Sequence, residues 1–320
     1  MSLQRLIPAL LVLAVAALPF AAPTSQVLLT LALAKGLAVL GVIVLLQAGQ
    51  VSFGHALFFA VAAYAAAFLG KAFHGGELLS MILAGVAAAV VLGFVVGLFV
   101  VRYRHIFFGM LNLAFSMIFF SVLEKFYYVT GGSDGLQVAR PSVLGIAVER
   151  DAFETILFYG ALALCLAAGW GTHRFLSSPV GNMMRAIKTN EIRLEYLGVS
   201  ARSVLLVGYV LSAGLCGLGG VLTAAAQGIV TPEYAWWVRS GEFVFIAILG
   251  GSASVSGAFV GALIYEAVRT YAAAFAADIW QLVLGVVLLA VILFAPGGVT
   301  GIYNRLLGGK AAAKAEEGEP

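Results

Sequence analysis

Charge is scarce in this chain. Asp, Glu, Lys and Arg together make up 10% of its 320 residues, where a soluble domain carries about a quarter. That shortage excludes an ordinary water-soluble fold. Cysteine is nearly absent, and Cys165 and Cys216 both sit inside apolar runs. That placement disfavours a disulfide or metal site, and both read by default as small buried hydrophobes. His55 has no second ligand nearby in sequence, so it is not a metal site. No Gly-x-x-x-x-Gly-Lys-Ser/Thr loop occurs. Gly308-Gly309-Lys310-Ala311 lacks both the hydroxyl and the spacing, so the chain does not cradle ATP by that device. A basic patch with interleaved aromatics is missing too, which removes nucleic acid as a partner. Paired acids and histidine clusters are lacking, which disfavours a membrane enzyme. The string Gly131-x-Ser133-x-Gly135 matches a hydrolase nucleophile elbow, but an apolar helix precedes it where the elbow needs a strand. No cofactor is expected.

What remains is apolar. Hydrophobic residues reach 62% and the mean hydropathy is +1.05. Runs long enough to cross a bilayer are Leu6–Ala22, Gln26–Leu46, Val51–Leu69, Leu78–Val101, Ile106–Tyr128, Phe153–Trp170, Val204–Ala226 and Gln281–Ala295. The first run also resembles a signal peptide. Pro19 and Phe20 fit poorly around an Ala-x-Ala-like cleavage site, and another apolar run follows at once, so a retained span is expected.

Positive charges set the orientation. Arg102, Arg104 and His105 fall between one pair of spans, Arg174, Arg185, Lys188, Arg193 and Arg202 between another, and Arg305, Lys310 and Lys314 follow the last. Placing all three groups and Arg5 in the cytoplasm satisfies the positive-inside pattern. Both termini inside require an even number of crossings. The long stretch Phe243–Phe275 must then be divided, and Gly250-Gly251-Ser252 with Ser256-Gly257 offers the break. The predicted fold is all-α: a polytopic integral membrane protein of about ten helices, one short or re-entrant, with both termini cytoplasmic. Broken backbone inside a membrane is tolerated where protein or a water-filled cavity satisfies it, so Gly250 and Gly251 are pathway candidates. Small-residue helix packing is the competing account. Trp170, Trp236, Trp237 and Trp280 fall at span ends, as an aromatic belt does.

A polar stretch, Ser177–Arg202, interrupts the greasy runs. Ser177 or Ser178 caps a helix start, Pro179 suits its first turn, and Gly198 ends it. Met183, Ile187, Leu194 and Leu197 form one apolar stripe. Acidic and basic residues alternate on the remainder, which favours docking to a cytoplasmic partner over a lipid-surface helix or a plain linker.

Polar residues within spans are functional candidates by default. Gln50, Ser52 and His55 begin the third span and Asn112 lies inside the fifth; each either meets a zwitterionic substrate or bonds a neighbouring helix. Lys35 either snorkels outward or pairs with an acid such as Glu124 or Glu266. Glu242 opens the short helix and favours its N-terminal dipole. The outward loop Thr130, Gly131, Gly132, Ser133, Asp134 is a candidate outer gate or binding-protein contact. The end of the chain, 303–320, is small and charged and reads as a disordered cytoplasmic tail.

Several strings, in order, carry a resemblance. Gly49-Gln50-Val51-Ser52-Phe53-Gly54-His55-Ala56, the Leu111 to Phe115 pattern, Thr130 to Leu136, Ser178-Pro179-Val180-Gly181 with Arg185-Ala186-Ile187, Asn190-Glu191 and Leu197-Gly198-Val199, Ser240-Gly241-Glu242 through Leu249-Gly250-Gly251, and Phe294 to Gly298 are similar to motifs of ABC importer permeases. They most resemble the M-type (LivM-type) permease of high-affinity branched-chain amino acid importers, over roughly residues 30–302. The resemblance implies a multi-pass inner-membrane permease domain, 1–302, with a coupling loop at 171–203. It implies a homologous second permease, two cytoplasmic ATPase subunits that hydrolyse the ATP, an extracytoplasmic binding protein, and an amino-acid substrate. It further assigns ATPase coupling to Pro179, Gly181, Arg185, Ile187, Asn190, Glu191, Leu197 and Gly198. The chain departs from the family at Leu194, where a small residue is usual, at Val42, often Asn, and at Leu46-Gln47, often Gly-Tyr. The last two departures lie in an early span near the expected pathway and open the substrate expectation to urea, amides and aromatic acids; an ATP-independent secondary transporter is the competing class.

Overall fold

An apolar chain in lipid must satisfy every backbone N–H and C=O internally, and this one does so with helices. The computed structural model describes residues 12–19, 25–73, 76–146, 148–252, 254–275, 280–294 and 297–301. Helices, in order, are α1 (12–19), α2 (Gln26–Gln47), α3 (His55–Ala72), α4 (Leu78–Val100), α5 (His105–Lys125), α6 (Tyr127–Thr130), α7 (Arg150–Leu176), α8 (Pro179–Tyr196), α9 (Ala201–Gln227), α10 (Trp237–Gly250), α11 (Val255–Phe275) and α12 (Trp280–Phe294). Among the described residues, 6 helices are long and apolar enough to cross a membrane. α10 and α11 meet at a bend of 113°, and counting that pair as one span brings the number to 7. The rest of the first run, the tail and the middle of the Phe294–Gly298 motif lie outside the described residues.

α2 is the axis of the bundle. Its residues from Leu37 to Leu45 are buried throughout, and α9, α11 and α7 pack along it. α9 also lies against α3 and α4. It approaches closely because small residues face its neighbours: a Cβ on Gly220 would strike the backbone of Phe59, and one on Gly219 the carbonyl of Ala34. Apolar surface offers no driving force between helices in lipid, so such close backbone contact holds the bundle together.

The two ends of the bundle differ. At one end Gln47 Nε2 donates to Ser252 O at 2.9 Å, Thr300 Oγ1 donates to Gly250 O at 2.8 Å, and α8 packs against α7 and α9. At the other, β1 (Leu136–Gln137) pairs antiparallel with β2 (Ile229–Val230), Leu136 opposite Val230, and Leu78 N donates to Ser142 O at 3.0 Å. This small ribbon, joining two loops, adds to the all-α expectation.

Two boundaries differ most from the sequence expectation. The third span begins at His55 instead of Val51. Gly49 takes φ +71, and the non-helical stretch after it carries Gln50 and Ser52. α7 extends beyond Trp170 to Leu176, because Thr172, His173 and Arg174 are compatible with a helix that has left the apolar layer.

Candidate functional site

α8 is a capped, amphipathic helix at one end of the bundle. The Ser178 side chain accepts from Gly181 N, and Pro179 occupies the first turn. Gly181 is required because a Cβ there would strike the backbone of Leu176. After Leu197, Gly198 takes φ +80 and ends the helix. Met184, Ile187 and Leu194 are buried. Leu197, expected on the apolar stripe, is instead 76% exposed, and Tyr196 and Ile192 are exposed as well. The cause is Asn190, whose backbone is extended (φ −163, ψ 99) inside the helix. Its Oδ1 accepts from Arg193 N at 3.0 Å and restarts the helix in a new phase. Met183 is half-buried, and Met184 holds the fully buried place.

The other coupling candidates lie on the same element. Glu191 is held by Arg104: Nε to Oε2 at 2.7 Å and Nη2 to Oε1 at 2.6 Å, a two-pronged pair. Arg104 also donates to Tyr103 O at 2.9 Å and to the carbonyl of Val101. Arg185 Nη2 donates to Asn182 Oδ1 at 2.5 Å. Arg185 and Asn190 are exposed, whereas Ile187 is buried.

The four polar residues singled out in the early spans are all buried. Gln50 Oε1 accepts from His105 N at 3.0 Å. Ser52 Oγ accepts from Gly54 N at 3.3 Å. His55 Nε2 faces Ser212 Oγ, and Ser212 donates its one proton to Gly41 O at 2.7 Å. His55 must therefore donate from Nε2, which leaves Nδ1 a buried acceptor without a partner. Asn112 Nδ2 donates to Phe108 O at 2.8 Å, while its Oδ1 accepts from Tyr209. These bonds tie α3, α5 and α9 together. Ser240 Oγ accepts from Ala56 N at 2.8 Å, so α10 caps the start of α3 from outside it.

The loop motif is ordered by its own polar groups. Thr130 Oγ1 donates to Phe126 O at 2.9 Å and accepts from Gly132 N at 3.3 Å. Gly131, Gly132 and Gly135 all take positive φ. Tyr127 OH donates to Asp134 Oδ2 at 2.6 Å, and that bond raises the Tyr127 phenol above its ordinary pKa. Ser133 is exposed.

Charge collects around the broken helix. Lys35 is neither snorkelled nor paired with Glu124: its Nζ lies 2.6 Å from Glu266 Oε2 on α11, with both side chains buried, and 5.0 Å from the Tyr265 ring centre. Arg269 Nη1 lies 4.0 Å from Glu266 Oε1. Glu242 does not open a helix. α10 begins at Trp237, because a turn over Pro232–Ala235 delivers the chain there already, so Glu242 sits more than a turn inside. Its Oε2 is a buried atom without a hydrogen-bond partner, as is Arg239 Nε one turn earlier. The Arg239 guanidinium lies 4.9 Å from the Tyr234 ring centre and 5.7 Å from that of Phe59. Gly250 and Gly251 close α10, Gly251 at φ +106. The sequence uses Arg104 only to set the orientation and does not single out Arg239, though a cation beside Glu242 in an apolar run is a visible signal.

An apolar helical bundle with a broken helix and an amphipathic helix packed at one end defines a multi-pass membrane protein. A family model described as the permease component of branched-chain amino acid transport systems matches residues 26–292, and the chain belongs to that family. It is 29% identical over 291 residues to the high-affinity branched-chain amino acid transport system permease protein LivM of Escherichia coli K12, covering 84% of this chain and 68% of that protein. It is also 29% identical over 227 residues to LivM of Salmonella typhimurium, covering 64% of this chain and 53% of the relative. Similarity to the permease protein BraD of Pseudomonas aeruginosa is 27% over 134 residues, covering 41% and 43%. No solved structure gave a significant match.

Proposed function

We propose that this chain is one membrane half of an ATP-driven importer that carries branched-chain or related amino acids inward across the bacterial inner membrane. The observation that carries this reading is α8. It is a capped helix packed against α7 and α9, with a face of exposed residues turned away from the bundle. Glu191 fastens it to Arg104 at the start of α5. A carrier that worked alone would have no need of such a handle.

In this mechanism a homologous second permease completes the pore, and a binding protein delivers substrate from the outside. Two separate ATPase subunits bind from the cytoplasm, and Pro179–Leu197 is the lever that receives ATPase motion, with Arg185, Asn190 and Glu191 at the contact and Gly181, Ile187 and Gly198 setting its shape. ATP closes the ATPases, α8 moves, and the bundle changes the side to which it opens. Differential affinity of nucleotide and substrate for the two states supplies the drive; this chain makes and breaks no bond.

The orientation that fits has both termini in the cytoplasm and about ten crossings. Consistent with it, the Gly250–Ser254 break lies at the same end as Gln47 and α8. That lets α10 descend and α11 return as separate crossings. The permease domain then spans 1–302 with its coupling loop at 171–203, followed by a cytoplasmic tail.

The test is leucine uptake into proteoliposomes holding this chain, its partner permease, both ATPases and the binding protein. Uptake that requires ATP and collapses on deletion of Pro179–Leu197 is expected. Uptake that persists without ATP would replace this reading with a secondary carrier. Uptake of amides or aromatic acids in place of leucine would keep the machine and change its cargo.

A further inference from the structure

α10 presents an unusual face. Trp237, Val238, Phe245 and Ile248 are exposed along it, as expected of a helix side turned to lipid or to another subunit. Glu242 lies at the edge of that same face, between Val238 and Phe245 in helical register. A carboxylate does not face hydrocarbon; ionisable groups in spans turn to the protein interior or to a water-filled path.

Its local pairing is incomplete. Glu242 Oε2 and Arg239 Nε are buried polar atoms without hydrogen-bond partners. The two residues sit one turn apart on one helix, with no ion pair between them among the described residues. Arg239 is held between the Phe59 and Tyr234 rings, so its guanidinium is positioned by aromatic faces while its Nε has no hydrogen-bond partner. The neighbouring cation Lys35 is already committed to Glu266 at 2.6 Å. Glu242 shares a hydrogen bond with the Tyr265 side chain on α11 and keeps Oε2 open, while Arg239 keeps Nε open. An anion and a cation one turn apart, each with unused hydrogen-bonding capacity, complement a small zwitterion.

We propose that Arg239 and Glu242 are the zwitterion-recognition pair of the translocation path. Arg239 takes the α-carboxylate of the passing amino acid, and Glu242 takes its ammonium group. The α10 face that carries Glu242 then lines the path between the two permeases. This assignment rests on the importer reading above and names its substrate contact. Discontinuous helices are where membrane transporters commonly place such contacts.

The test uses the complete complex in proteoliposomes. Glu242→Gln and Arg239→Gln should each lower the leucine uptake rate about tenfold or more, the loss expected when one charged hydrogen-bond partner is removed. ATPase activity stimulated by the binding protein should stay within about twofold of wild type, since coupling through α8 is intact. Arg239→Lys should restore part of the uptake. In a second measurement, Val238→Cys should react with a charged, water-soluble thiol reagent, and leucine should slow the reaction; the native Cys165 and Cys216 are buried. Wild-type uptake in both Gln variants would overturn the pair. So would loss of stimulated ATPase alongside uptake, which marks a structural role, or a Val238→Cys thiol that only a membrane-permeant reagent reaches. A wild-type complex that hydrolyses ATP yet imports no leucine would instead count against the importer reading itself.

Discussion

Arg104 and Glu191 join the start of α5 to α8 through a two-pronged ion pair of 2.7 and 2.6 Å. The two side chains are 17% and 28% exposed, so solvent screens the pair and its share of stability is small, roughly 1 kcal/mol or less. Its effect is positional. Arg104→Lys keeps the charge and loses the fork. The expected outcome is an unchanged melting temperature with a several-fold fall in leucine moved per ATP hydrolysed. Full coupling in Arg104→Lys would remove the pair from the lever.

Lys35 and Glu266 are a buried couple, their side chains 3% and 6% exposed. Lys35→Met leaves Glu266, among the described residues, with the more distant Arg269 at 4.0 Å. Removing one member of such a pair costs about 3–5 kcal/mol, whereas replacing both is much less costly. Thermal unfolding of the purified chain in detergent should show a large loss for Lys35→Met. Most of that loss should be recovered in Lys35→Met/Glu266→Gln. Equal losses in the single and double variants would mean that the pair does not join α2 to α11 energetically.

Gly220 packs against the backbone of Phe59, with no room for a Cβ. Gly220→Val must push α9 away from α3. Overpacking of this kind costs about 1–3 kcal/mol, and here it should also reduce the yield of assembled protein. Gly160→Ala, where nothing lies near a Cβ, should express and melt like wild type.

Ser240 on α10 accepts the free N–H of Ala56 at the start of α3. Ser240→Ala removes an acceptor that the helix start has no other way to replace, at a cost of about 1 kcal/mol. Amide exchange at Ala56 should speed up in Ser240→Ala, with no change in α5. Unchanged exchange at Ala56 would show that the cap carries no energy.

Much of this architecture was legible in the residues. Period, length and charge placement located the apolar helices, and Ser178, Pro179 and Gly198 marked the ends of α8 correctly. The sequence also identified the Gly250-Gly251 break, because an even number of crossings requires Phe243–Phe275 to be divided and its Gly-Gly-Ser run offers the place; adjacent glycines alone are no signal, since Gly219 and Gly220 lie inside α9. What stayed hidden depends on partners distant in the chain. Lys35 had two acids in view and no local reason to choose Glu266. Leu197 fell on the apolar stripe only if α8 ran unbroken, and Asn190 broke it by capping a second segment with its own side chain. Glu242 was placed at a helix start because the turn at Pro232–Ala235 gave no periodic signal. The coupled pair His55 and Ser212 joins residues whose spacing carries no pattern at all.

α9 begins at Ala201, a few residues after α8 ends at Tyr196, and Ser200 caps its first turn. That join leaves little slack. α9 is also the helix that touches α2, α3 and α4, with glycines pressed against their backbones. A push on α8 is therefore delivered to the hub of the bundle and not to its rim. Three helices feel it together, as spokes feel a turned axle.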